Sequence, residues 1–115
     1  MKRNMYDWKK YLIESDHVAA LPIMTYPGLE LAGKKLLDII HDGESQAACI
    51  ESLANKYNTA AAVTVMDLSV EAEAFGSQVK YSETEVPTVI GQIVTEMKEA
   101  EALKVPTVGE GRTGV

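Results

Sequence analysis

The segment "AAAVTVM" at positions 60–66 is built from small, β-branched and apolar residues without polar alternation. A strand with one wet face alternates apolar and polar residues, so this run predicts a strand covered on both faces, as in a parallel sheet. Asp67 follows at once, then Glu71, Glu73 and Gly76. In α/β folds ligands collect outside the carboxyl ends of parallel strands, where loops converge on a rigid base. Asp67 is therefore a candidate catalytic, substrate-orienting residue; the alternative is that it caps the short helix "SVEAEAFG" by accepting from backbone amides.

The flanking sequence supplies the rest of an α/β pattern. Met5, Trp8 and Leu12 recur at helical spacing within 5–14, and "VAALPIMTY" reads as a second buried strand, although Pro22 removes one ladder donor. The turn "YPG" leads into an apolar face at Leu29, Ala32, Leu36 and Ile39, predicting one helix from 29 to 40. Ala47, Ile50, Leu53, Ala54 and Tyr57 predict another over 44–57, with Asn58 as its left-handed terminator. Beyond Gly76, Val79 and Tyr81 alternate with polar neighbours in an extended surface excursion closed by Pro87. A last helix is expected at 95–103, capped by Thr95. Strand, helical crossover and parallel strand make a βαβ unit. A complete (β/α)8 TIM barrel needs roughly 250 residues, so residues 1–115 are expected to be the incomplete amino-terminal part of one such domain, with an extra amino-terminal helix.

Composition narrows the function. A formal net charge of -6 with scattered basic residues argues against nucleic acid as a partner. The charged start "MKRNMYDWKK" is not followed by the apolar core of a leader, and no run reaches the length of a membrane span, so a cytoplasmic protein without a membrane partner is expected. Cys49 is the single cysteine and lies in a helical pattern, which suits a small core residue; His17 and His41 sit at loop edges and are read as hydrogen-bonded or solvated. "GEGRTG" lacks the lysine and spacing of a phosphate loop. It reads as a flexible connection with Arg112 at the surface, although Arg112 could meet an anionic substrate in a complete barrel. Tyr26 and Gly28, at the rim shared with Asp67, are candidate substrate contacts, against the alternative of an ordinary strand-to-helix turn. Glu71 is a further candidate. Glu71 and Glu73, two apart, cannot share a helical face, and solvated surface is the plainer reading of both.

"PIMTYPGLELAG", "HDGESQA", "MDLSVEAEAFG" and the late "LKVP" and "GR" resemble the amino-terminal third of the uroporphyrinogen decarboxylase superfamily, in particular its corrinoid-dependent methyltransferase branch. The resemblance implies a (β/α)8 barrel and transfer of a methyl group from a corrinoid protein or free methylcorrinoid to a small thiol such as coenzyme M. It further implies a zinc ion that activates the thiol, held by a His-x-Cys pair and a later Cys expected beyond Val115, with no metal ligand among residues 1–115; taken alone, the chain should be inactive. Asp67 matches the aspartate with which decarboxylases of the superfamily engage pyrrole nitrogens. Those decarboxylases also carry an arginine-bearing segment after the first strand, whereas "MTYPGLELAG" has none. A tetrapyrrole decarboxylase is thus the second reading. A non-catalytic module that forms homo-oligomers through exposed strand edges is the third.

Overall fold

The computed structural model describes residues 4–115. Met1–Arg3, part of the charged start considered above, lie outside the described residues. Helix α1 (Met5–Glu14) begins at Asn4, whose side chain accepts from the Asp7 amide at 2.9 Å. Trp8 ties it to the rest of the structure, its indole Nε1 donating to the Ala60 carbonyl at 3.1 Å, while Met5 of the expected stripe is exposed.

The continuous helix expected over 29–40 is instead two helices, α2 (Pro27–Ala32) and α3 (Leu36–His41). The break lies at Gly33, which adopts φ 62°, while the Gly33 and Lys34 amides donate back to the Glu30 and Leu29 carbonyls. That pair of bonds is the Schellman closure, which needs a left-handed residue just past the helix end and so favours glycine. Asp38 restarts the chain by accepting from the Lys35 amide at 2.8 Å. Helix α4 (Gly43–Tyr57) follows, capped by Asp42 on the Ser45 amide and ended by Asn58 at φ 47°, as its periodicity and asparagine predict.

The core sits between these helices. Leu36, Ile39 and Ile40 of α3 meet Cys49 of α4, with Leu29, Ala32, Leu37, Val65 and Tyr81 packed around them. Gly28 lets α2 lie against α4: it is buried, and a Cβ built there would stand 2.6 Å from the Cys49 carbonyl oxygen.

Residues 18–26 and 60–66 run through the structure without forming a hydrogen-bonded ladder, in contrast to the two strands expected. Among the described bonds they share one backbone link, from the Ala60 amide to the Ala20 carbonyl at 2.9 Å. Burial along 61–66 alternates: Ala61, Val63 and Val65 are half-buried, while Ala62, Thr64 and Met66 are exposed. The run is therefore covered on one face by the helices, and the second covering layer that its sequence is suited to does not appear among the described residues.

Helix α5 (Ser69–Ala74) leads into a two-stranded antiparallel sheet, β1 (Gln78–Lys80) and β2 (Thr88–Ile90), with Val79 opposite Val89. The extended excursion thus turns back on itself as a hairpin, and Tyr81 enters the core margin rather than the surface. Helix α6 (Met97–Ala102) starts two residues later than expected. Its N-cap is Glu96, and the Glu99 carboxylate reaches back to accept from the Thr95 amide, the Thr95 hydroxyl and the Glu96 amide at 2.7, 2.8 and 3.1 Å, so Thr95 donates rather than caps. A 3-10 turn at Gly111–Gly114 ends the chain. The whole is a mixed structure of helices and a small sheet, compatible with part of an α/β fold.

Candidate functional site

Asp67 lies where the apolar run ends, and both of its carboxylate oxygens are engaged. Oδ1 accepts from the Ser69 amide at 2.9 Å and the Ser69 hydroxyl at 2.6 Å, an Asx-type turn that starts α5. Asp67 thus accepts from the first backbone amide of α5, while the N-cap position itself is Leu68. Oδ2 accepts from Arg112 Nη1, a residue 45 positions away.

Arg112 corrects two expectations. It is not at the surface, since 6% of its side chain is exposed, and "GEGRTG" is not a free connection, because this guanidinium ties it down. Besides Asp67, its Nη2 donates to Ser69 Oγ at 2.8 Å and its Nε to Glu73 Oε2 at 2.5 Å. Its guanidinium carbon stands 5.1 Å from the Tyr81 ring centroid, a cation–π contact. Glu73 is likewise not simply solvated: its second oxygen accepts from the Tyr81 hydroxyl. The Tyr81 ring in turn packs against His41, centroids 5.1 Å apart. His41 uses Nδ1 on the Leu37 carbonyl at 3.0 Å.

Burial works against ionisation of Asp67, but the hydrogen bonds from Ser69 and Arg112 and the Arg112 charge outweigh it, so its carboxyl lies below the ordinary aspartate value. Glu73 follows the same logic, with Tyr81 and Arg112 overcoming desolvation. Desolvation also opposes the charge on Arg112, and the bonds to Glu73 and Asp67 reverse it. Burial and the bond to Glu73 raise Tyr81, which stays a neutral donor. Because both carboxyls are depressed on folding, their stabilising contribution is complete above the unfolded-state pKa values near 4 and is lost as pH falls through the folded values. The melting temperature should accordingly hold between about pH 7 and 5 and fall below about pH 4. Glu73→Gln should flatten that acid slope; an unchanged slope would mean that the pairing contributes nothing.

Arg112 forms a wall between two clefts. One, of about 290 Å³, is lined by Asp67, Glu71, Gln46, Thr64 and Arg112 among others. The other, of about 230 Å³, is lined by Glu73, Glu110, Pro106 and again Arg112. Glu71 and Glu73 thus face different spaces, as their spacing of two requires. The structure brings Asp67 and Glu71 to one cleft, but it does not bring Tyr26 and Gly28 there. Tyr26 lines a separate hollow with Pro27, Leu29, Glu30, Lys56 and Tyr57. Burial, then the charge of Asp67, raises its phenol pKa. Gly28 packs beneath α4, so its close approach is to the Cys49 carbonyl. Cys49 is fully buried, and burial raises its thiol pKa despite the opposing charge of Lys34; it is a core residue rather than a reactive thiolate.

Sequence reasoning missed the pairing of Glu73 with Arg112. One signal was present: the acids at 67, 71 and 73 have no Lys or Arg between Lys56 and Lys80, so any buried member must take its cation from a distant segment.

Residues 20–115 match the model of the family described as uroporphyrinogen decarboxylase (URO-D). The chain belongs to this family. Neither the comparison with curated proteins nor that with solved structures finds a match. The URO-D match covers Asp67, Glu71, Glu73 and Arg112, so both clefts lie within it, while α1 lies before it. Among the described residues no group of three or more His, Cys, Asp or Glu side chains is placed so that it could hold a metal ion. No helix of the described residues is long and apolar enough to cross a membrane.

Proposed function

We propose that this URO-D family chain provides the Asp67 rim of a corrinoid-dependent methyltransferase, moving a methyl group from a methylcorrinoid to a thiol such as coenzyme M. One observation carries the reading. Among the described residues lining the Asp67 cleft, Arg112 is the single cation, and it is already spent on Asp67 and Glu73. With Glu71 added, two carboxylates line this cleft, and its one guanidinium is shared with Glu73 of the neighbouring cleft. Such a rim repels a tetrapyrrole whose edge bears carboxylates. A corrinoid edge bears neutral carboxamides, whose N–H groups can donate to Asp67 and Glu71 without a charge penalty. The corrinoid, when bound, supplies the methyl group. Asp67 stays ionised and fixed in direction by Ser69 and Arg112, so its part is to orient a donor rather than to shuttle a proton.

The same proposal extends to architecture: 18–26 and 60–66 are neighbouring strands of a (β/α)8 barrel, to which residues 1–115 contribute the opening elements. The Ala60–Ala20 bond and the open face of 61–66 support it. A cytoplasmic setting fits the buried free thiol of Cys49.

The test supplies methylcobalamin, zinc and coenzyme M to the protein carrying this sequence, with uroporphyrinogen in a parallel assay. Loss of methylcobalamin absorbance together with formation of the methyl thioether is the expected result. Stepwise decarboxylation of uroporphyrinogen, with methylcobalamin untouched, would replace this reading with the decarboxylase.

A further inference from the structure

Arg112 has its three bonded edges turned to three different partners: Nη1 to Asp67, Nη2 to Ser69 and Nε to Glu73. The first two partners fix Asp67 at the rim. Glu73 has no such role, since it lines the neighbouring cleft and not the one containing Asp67. It is also the most accessible of the set, with 33% of its side chain exposed against 8% for Asp67. Its carboxylate occupies the Nε of Arg112, a side chain that lines both clefts. Tyr81 fixes it there by donating to its other oxygen.

We infer that Glu73 is a specificity-determining residue: by filling the Nε edge of Arg112 it denies that cation to ligand carboxylates, so that the site admits neutral, amide-bearing ligands and refuses polycarboxylates. The inference rests on the reading of the Asp67 cleft as a substrate rim, and it assigns the basis of selection to a residue outside that cleft. A carboxylate can bond a guanidinium through paired N–H groups, but only where that edge is vacant. Removing the Glu73 carboxylate vacates it while Asp67 still balances the charge of Arg112, so the cation remains paired in its buried position. The groups facing Arg112 are then Asp67, Ser69 and Tyr81, with Glu110 also lining the second cleft.

The experiment titrates uroporphyrin, a polycarboxylate, into the protein carrying this sequence and follows the Soret absorbance. Glu73→Ala should bind it at least about tenfold more tightly than the parent, the worth of one charge-assisted hydrogen bond. Glu71→Gln removes the same unit of charge without touching Arg112 and should gain less than about twofold. No gain in a folded Glu73→Ala protein, or an equal gain in Glu71→Gln, would overturn the inference. If Glu73→Ala does not fold, Glu73→Gln keeps the shape of the side chain. Its gain should exceed that of Glu71→Gln, and equality between the two would again reject the idea. Methylcobalamin titrated into the same proteins separates the two levels of reading. Its failure to bind any of them would count against the methyltransferase reading and leave the uroporphyrin comparison to decide the role of Glu73.

Discussion

Arg112→Met should lower stability at pH 7 by about 3 kcal/mol, the loss expected when one member of a buried ion pair is removed and its partners stay charged. Asp67 carries most of this cost, because 8% of its side chain is exposed and only the Ser69 bonds remain to it. Glu73, a third exposed, can hydrate, which places the effect at the lower end of the range for buried pairs. Acidification gives the diagnostic sign. Protonation removes the unpaired charge, so the gap between parent and variant should narrow as pH falls towards 4, where an apolar packing defect would stay constant. Urea unfolding of both proteins at pH 7 and at about pH 4.5 measures it; a gap independent of pH would show that Arg112 acts through its packing alone.

Gly28→Ala should also destabilise, by about 1–3 kcal/mol, although replacing glycine by alanine in a helix ordinarily helps. The added methyl would stand 2.6 Å from the Cys49 carbonyl oxygen and 3.0 Å from Leu53 Cδ1. The carbonyl belongs to the α4 backbone and cannot turn aside as a side-chain tip can. Gly33 offers the contrast: nothing lies within 4 Å of its built Cβ, yet its φ of 62° disfavours any side chain. Gly33→Ala should therefore cost about 1 kcal/mol through the backbone alone. A thermal melt of Gly28→Ala at or above the parent would mean that α2 can shift away from α4 without loss.

These two sites also mark how far the sequence could be read. Helices α1 and α4 were legible because their periodicity is clean: Trp8 and Leu12 share a face, and Asn58 ends α4 with ordinary terminal chemistry. The 29–40 segment misled because Leu29, Ala32, Leu36 and Ile39 keep helical spacing across a break, and all four reach the same core from two helices. Gly33 carried the signal, as a glycine just past a helical stretch ends the helix when the left-handed turn closes well. The apolar run at 60–66 predicted two covered faces, a property that depends on neighbours rather than on the run itself. Asp67 and Glu71 stood out because they follow a strand-like run directly. Glu73 and Arg112 did not, since their partnership joins segments 39 positions apart and leaves no local pattern.

The Arg112 fork also orders events in time. It closes a 45-residue span, whereas the α3–α4 core forms from residues close in sequence. Bringing distant segments together loses chain entropy before any contact rewards it, so local helix pairing precedes such closures. Docking of the Gly111–Gly114 turn therefore follows the pairing of α3 with α4. Its loss should hasten unfolding while leaving the folding rate nearly unchanged. The clasp that holds Asp67 in place thus acts as a brake on the exit from the native state.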